Sequence, residues 1–585
     1  MKKLFPLLFF IGLIACDNSN PVSEEAATES KNEQLHSLFK EIGDYMSSPE
    51  DSLYYGHHVH SEWASVSEAS QQEDAEAIKK FIDQLMSFSD KSLGEQDLIS
   101  KKVMLIRLRD MVDGVTYKMN LIPFNAEGGF YNQMAFVVPN LPFDNTEHYV
   151  DYLGWLPHYH NRLKENIALV RRGIEVGVVA PKIVVQNNIQ LLQPWLDLEN
   201  NVMYQPLKKL QNVVDTENTE LIQSIENELL AINTTLKEFD QLMRNEYMEA
   251  AKEQPGIMFV PEGKEYYENR VRHYSTLPLS PDSVHNLGLS EVARIRSQMD
   301  KIIEELEFEG SFEDFLKFLR TDEQFYPKTP QELLNYASWL SKKAEGQLPK
   351  LFDHLYSLPF TVEPVPMSIA PTYTTGRYVG GSWEAHKAGI YWVNTYNLPS
   401  RTLYTMPALT LHEAVPGHHL QGAIASELDN IPEFRNNYYI SAFGEGWGLY
   451  SEYLGEEMGM YETPYDLFGR YTYEMWRACR LVVDTGIHYK GWTRQQALDY
   501  MANNTALSIH EVTTEIDRYI GWPGQAISYK IGEIKIKALR KKAEEALGDE
   551  FNIREFHHVV LRNGSIPLAV LEEQVDGYIN KTLNQ

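Results

Sequence analysis

Apolar residues recur every three to four positions along most of this chain, and that spacing constrains its fold more than any other feature. Within 221–244, Ile222, Ile225, Leu229, Leu230, Ile232, Leu236, Phe239 and Leu242 follow the pattern, with acids and lysines between them. A period near 3.6 marks one packing face of an amphipathic helix. The pattern also runs through 34–120, for example 75–86, and returns in 290–306 and 330–351. These stripes are packing faces and carry no chemistry. They predict a mainly α fold: one helical domain over 34–585, with an N-terminal part to about 350 and a second part from about 351. No internal repeat or Gly/Ser linker divides it.

The N-terminus reads differently. Lys2 and Lys3 precede an apolar run over 4–15, long enough for a signal-peptide core but short for a membrane span. It ends in Leu13-Ile14-Ala15-Cys16, which resembles the lipobox of bacterial lipoproteins. The resemblance implies cleavage after residue 15, acylation of Cys16 and a membrane contact through the lipid anchor. Residues 16–33, polar and poor in apolar side chains, are expected to be a flexible tether. The implied location is the bacterial cell envelope, facing the periplasm or the outside. With 2 Cys in the chain, Cys479 is left without an intramolecular partner, so the core alone must hold the fold. Cys479 lies in an apolar-periodic run and is expected to be a buried small hydrophobe. The formal net charge of −29 and the lack of a basic cluster exclude nucleic acid as a partner. The sequence is silent on oligomeric state.

Chemistry concentrates in Leu411-His412-Glu413-Ala414-Val415-Pro416-Gly417-His418-His419. Zinc binds imidazole and carboxylate, and a catalytic zinc site keeps one position open. In an H-E-x-x-H helix, two histidines one turn apart bind zinc and the glutamate between them is the general base. Here the second histidine position is Pro416, which cannot ligate. Two geometries remain. In a regular helix His419 returns to the face of His412, but roughly 10 Å along the axis. Proline and glycine also permit a bulge, which would bring His418 into place. Both histidines stay candidates, with Glu413 as the base.

A third ligand is expected in Phe443-Gly444-Glu445-Gly446-Trp447-Gly448-Leu449-Tyr450-Ser451-Glu452. Glycines around Glu445 let another helix or a metal approach closely, and they are costly in a plain surface helix. Glu452, two turns on, is placed to orient a histidine. Before these helices the texture changes: prolines at 359, 364, 366 and 371 and glycines at 376, 380 and 381 precede the strand-like Gly389-Ile390-Tyr391-Trp392-Val393-Asn394-Thr395. Such a β element before the metal helix is where a metallopeptidase keeps its substrate-binding edge, so Tyr391 and Asn394 are candidate substrate contacts.

The His-Glu-x-x-Pro-Gly-His-His run and the Glu-Gly-Trp-x-Leu-Tyr-x-Glu run come with two further segments. These are Arg480-Leu481-Val482-Val483-Asp484-Thr485-Gly486-Ile487-His488 and Arg518-Tyr519-Ile520-Gly521-Trp522-Pro523-Gly524-Gln525-Ala526. Together they resemble the bacterial family called domain of unknown function 885. The resemblance spans nearly the whole chain after the anchor and is densest over 352–575. It implies a large, two-lobed helical fold similar to the zinc peptidases of the gluzincin class. It names no substrate.

Zinc-assisted peptide hydrolysis also needs a donor for the developing oxyanion. Tyr519, Tyr529 and His488 are candidates, with Asp484 one turn before His488 to orient it. Arg518, Gln525 or Lys530 could grip a substrate carboxylate and make the enzyme a carboxypeptidase. The expected function is therefore a zinc-dependent hydrolase, an oligopeptidase or carboxypeptidase acting on peptides in the envelope. Two alternatives stand beside it. One is a zinc amidase on cell-wall peptides; the other is a non-catalytic metal- or ligand-binding lipoprotein. Structural zinc sites mostly use four protein ligands rich in cysteine, which this chain lacks.

Overall fold

Helices form where the apolar stripes place them. The 221–244 stripe becomes the helix Thr219–Leu242, which buries Ile225, Leu229, Ile232, Leu236, Phe239 and Leu242. The 290–306 stripe falls in Pro281–Glu305, and the 330–351 stripe in Pro330–Glu345 followed by Leu348–Leu351. The structure, a computed structural model, describes residues 24–48, 53, 57, 58, 62–213, 219–367, 369–429, 431–436 and 438–584. The expected signal peptide and Cys16 lie outside the described residues. The expected tether does not run to residue 33: a helix spans Glu24–Met46. Among the described residues, no helix is long and apolar enough to cross a membrane.

The helices that position the site are α1 (Pro281–Glu305), α2 (Met406–Glu413), α3 (His418–Ser426), α4 (Ser441–Glu457), α5 (Pro464–His488), α6 (Ile509–Gly521) and α7 (Ser528–Leu547). The central one is α5. Thr463 caps it by accepting from the Asp466 N–H, while the Asp466 carboxylate accepts from the Thr463 N–H at 2.9 Å. This reciprocal cap and Pro464 in the first turn start the helix sharply. Nearly all of α5 is buried, charged residues included. Those charges are paired: Arg470 with Glu474 at 2.6 Å, Glu474 with Lys530 of α7 at 2.6 Å, and Arg480 with Glu515 of α6 at 3.1 Å. Removing one member of such a pair costs about 3–5 kcal/mol, because a buried charge is left uncompensated.

α1 packs along α5 and α4 along α7, so the two expected parts share one continuous apolar core. The α4–α7 crossing is close because glycine meets glycine. A Cβ on Gly446 would lie 2.5 Å from the Gly532 Cα.

The β element has three strands, β1 (Phe360–Pro364), β2 (Gly376–Val379) and β3 (Gly389–Val393), in the order β1-β3-β2. β3 runs parallel to β1 and antiparallel to β2. The strand legible at 389–395 is thus the middle strand, and the edge facing the polar helices is β2. This corrects the expectation for Tyr391 and Asn394. Tyr391 is fully buried with its hydroxyl 3.4 Å from that of Thr410. Buried Asn394 donates to the carbonyls of Ala370, Tyr373 and Thr374 and so clamps the loop before β2. Tyr391 and Val393 are fully buried and Ile390 and Trp392 half-buried, and this β-branched and aromatic make-up is what made the strand legible.

Candidate metal centre

The polar run does not form one bulged helix. α2 ends at Glu413, Ala414 departs from helical dihedrals (φ −95°, ψ −107°), and α3 begins afresh at His418. Pro416 has no N–H with which to continue the ladder. The turn is held by the Trp447 indole N–H, which donates to the Pro416 carbonyl at 2.8 Å. The break brings the last turn of α2 and the first residue of α3 together. Nε2 of His412 and Nε2 of His418 lie 3.5 and 3.4 Å from the same oxygen, Oε2 of Glu445 on α4. The three donor atoms all fall within 4.8 Å of one another. The imidazoles stand nearly perpendicular, at 87° with centroids 4.7 Å apart.

His419 takes no part. Successive helical residues point about 100° apart, and its ring is buried among Tyr356, Phe360 and Tyr378. Nδ1 lies 3.2 Å from the Tyr378 hydroxyl. Burial pushes its pKa down to about 4, so the ring is neutral near pH 7.

Glu452, two turns beyond Glu445, lies 2.8 Å from His412 Nδ1. A carboxylate there accepts a hydrogen bond from the Nδ1–H and turns the Nε2 lone pair toward Glu445 and His418. Gly448, between the two acids, gives the ring its room: a Cβ there would meet it at 2.7 Å. Burial disfavours charge on His412, yet Glu445 and Glu452 outweigh it and lift its pKa to about 9. Burial likewise opposes ionisation of Glu445, but His418 and His412 hold its carboxyl well below the usual range. Such a field favours a cation.

Around this cluster stand three groups. Glu413 is buried, and its Oε2 accepts the Tyr378 N–H of the edge strand β2 at 2.8 Å. Tyr529 stacks beside His412, with ring centroids 6.4 Å apart at 21°. The Tyr439 hydroxyl donates to Oε1 of Glu445 at 3.0 Å, although 52 % of the residue is exposed. Tyr439 and β2 were not anticipated. Tyr439 belongs to no periodic pattern, and the four residues of β2 are too few to show one.

The remaining candidates are engaged elsewhere. The Tyr519 hydroxyl is buried and accepts from Trp476 at 2.9 Å and Arg480 at 2.7 Å. His488 accepts the Ile257 N–H on Nδ1 and donates from Nε2 to the Tyr519 carbonyl. Asp484 does not orient it; Asp484 accepts from the Tyr267 hydroxyl and the Gly524 N–H. Arg518 donates to Gln525 and Glu515, and Lys530 pairs with Glu474, Glu533 and Glu291. Buried charges find each other before they find a substrate, which corrects these assignments. Cys479 is fully buried, and burial pushes its thiol upward.

The fold and this cluster define a large, mainly helical protein with a two-histidine, one-glutamate site between its central helices. The family described as bacterial protein of unknown function, DUF885, matches residues 49–575, and the chain belongs to it. A crystal structure of a candidate lipoprotein from Colwellia psychrerythraea is similar, with 27% identity and a TM-score of 0.82 over 96% of this chain and 100% of that one. A candidate lipoprotein of unknown function from Shewanella oneidensis shares the fold at 18% identity and a TM-score of 0.74, over 92% of this chain and 98% of that one. No curated protein matches the chain.

Proposed function

We propose that the chain is a zinc-dependent hydrolase whose substrates are peptides, held at the bacterial envelope by a lipid on Cys16. The observation that carries this reading is the convergence of His412, His418 and Glu445 next to Glu413. The donor set suits zinc: two imidazole nitrogens and one carboxylate oxygen leave a position open. Bonds of about 2.1 Å in a tetrahedral site put ligand atoms roughly 3.4 Å apart. The observed nitrogen–oxygen separations are 3.4 and 3.5 Å. The hydrogen bond from His412 to Glu452 adds the partner that zinc-bound histidines ordinarily have. The name of the Colwellia protein supports the lipid anchor.

Zinc in this position supplies Lewis acidity, which acidifies water and polarises a carbonyl. The chain's own residues do the rest. The Tyr378 N–H steadies one oxygen of Glu413 and leaves the other to take a proton from the attacking water and pass it to the leaving amine. The exposed edge of β2 offers backbone groups along which an extended peptide can lie. Tyr529 is the proposed donor to the oxyanion, because the hydroxyl of Tyr519 and the imidazole of His488 are already committed. The test is Glu413→Gln. It should retain about one zinc per chain and lose metal-dependent peptide hydrolysis by 100-fold or more, on the order expected of a general base. Full activity in that variant would refute the base, and wild type without stoichiometric zinc after reconstitution would refute the site.

A further inference from the structure

The hydrolase reading leaves open which part of a peptide is recognised, and the edge strand bears on it. Arg377 precedes the Tyr378 N–H that binds Glu413, so its Cα lies roughly 4 Å from that carboxylate oxygen by bond geometry. Its side chain is exposed and bonds to Tyr373. Among the described residues, no carboxylate lies within ion-pair distance of it. Desolvation opposes its charge, and Tyr373, Glu413 and Tyr529 more than offset that. Other nearby cations are engaged: Arg477 faces Glu452, Arg480 and Arg518 share Glu515, Lys530 has three glutamates, and Arg401 donates to the Thr375 hydroxyl and the Tyr396 carbonyl.

A cavity lies at the start of the strand. Thr375 immediately precedes β2, its carbonyl accepts the Asn394 N–H at 2.9 Å, and it stands two residues before Arg377, about 6.7 Å along an extended chain. Thr375 lines a cavity of about 220 Å³ together with Tyr404, Thr472, Tyr473, Leu507 and Glu511. The Thr375 hydroxyl donates to Glu511 at 3.3 Å, and the buried hydroxyl of Thr472 has no hydrogen-bond partner. The cavity thus offers polar groups as well as ring faces to a side chain.

We infer that Arg377 anchors the free C-terminal carboxylate of a peptide whose last side chain enters the Thr375–Glu511 cavity, which makes the protein a carboxypeptidase. The inference rests on the hydrolase reading. A C-terminal carboxylate carbon lies roughly 4 Å from the carbon of the scissile carbonyl, a span that fits an anchor this close to Glu413. In the reaction the last C–N amide bond breaks and a C–O bond forms. Water supplies the hydroxyl of the new carboxylic acid and a proton to the amine of the released residue.

The test uses the intact protein supplied with zinc, tripeptides Ala-Ala-Xaa and their C-terminal amides. Wild type should prefer the acids by about tenfold or more, the scale of a hydrogen bond between charged groups. Arg377→Gln should lose that preference through KM, with its melting temperature unchanged, and Arg377→Lys should restore part of it. Glu511→Gln should alter the ranking of Xaa while keeping the preference for acids. Equal cleavage of acids and amides by wild type would overturn the anchor and leave the hydrolase standing. Cleavage of neither would overturn both. An unchanged Xaa ranking in Glu511→Gln would remove the cavity from the proposal.

Discussion

Oε1 of Glu452 and Nδ1 of His412 stand 2.8 Å apart, both almost wholly buried. The contact links α4 to the end of α2 and fixes the proton on the nitrogen that faces away from Glu445. Glu452→Gln keeps an acceptor but removes the negative charge that makes the imidazole a better ligand. We expect zinc affinity to fall about 10- to 100-fold, measured by competition with a chromophoric chelator.

Gly448→Ala separates helix propensity from the demands of the site. Alanine favours a helix interior by about 1 kcal/mol over glycine. Its methyl group, however, would stand 2.7 Å from the His412 ring. The expected outcome is a helical protein that no longer binds one zinc per chain, read by circular dichroism together with elemental analysis.

His418→Ala and His419→Ala should fail in opposite ways. The first loses a donor atom 3.4 Å from Glu445 and should lose zinc while melting close to wild type measured without metal. The second empties a site packed by three aromatic rings. It should keep its zinc and lose stability by about 2–5 kcal/mol.

Acid should destabilise the fold through buried neutral histidines. Burial lowers His488 to about 4 and His557 to about 3. Nδ1 of His488 accepts a backbone N–H, so a second ring proton would displace that bond. Both rings titrate near 6.5 when unfolded. Their contribution is therefore complete above pH 7 and falls as pH drops through 6.5 toward 4, by on the order of 3 kcal/mol for His488. Urea unfolding from pH 7 to 4 should show the decline, and His557→Gln should be weaker at pH 7 but less sensitive to acid.

Asp484 works with the opposite sign. Burial raises its carboxyl to about 7, above the ordinary value near 3.8. Its contribution is full below about pH 4 and is lost as pH rises to 7, because the unfolded chain ionises first. Asp484→Asn can still accept from Tyr267 and Gly524. Relative to wild type it should gain on the order of 4 kcal/mol between pH 4 and pH 8, checked by the same unfolding series.

The sequence by itself determined the helices, the middle strand of the sheet and the roster of chemical groups. Apolar spacing is a local property, and each stripe became a helix wherever the neighbouring helices came to lie. His412, Glu413 and Glu445 could be named because few other roles suit those types among glycines and apolar residues. Only the tertiary structure decided which of His418 and His419 meets Glu445, since the choice depended on whether the helix ran on regularly through Val415–Gly417 or was interrupted there. It alone showed that β2 is the edge facing the polar helices, that Tyr439 reaches Glu445, and that Arg518 and Lys530 are bound up with glutamates. Those outcomes are set by which buried charge meets which partner across distant segments, and such pairing leaves no period in the chain to read.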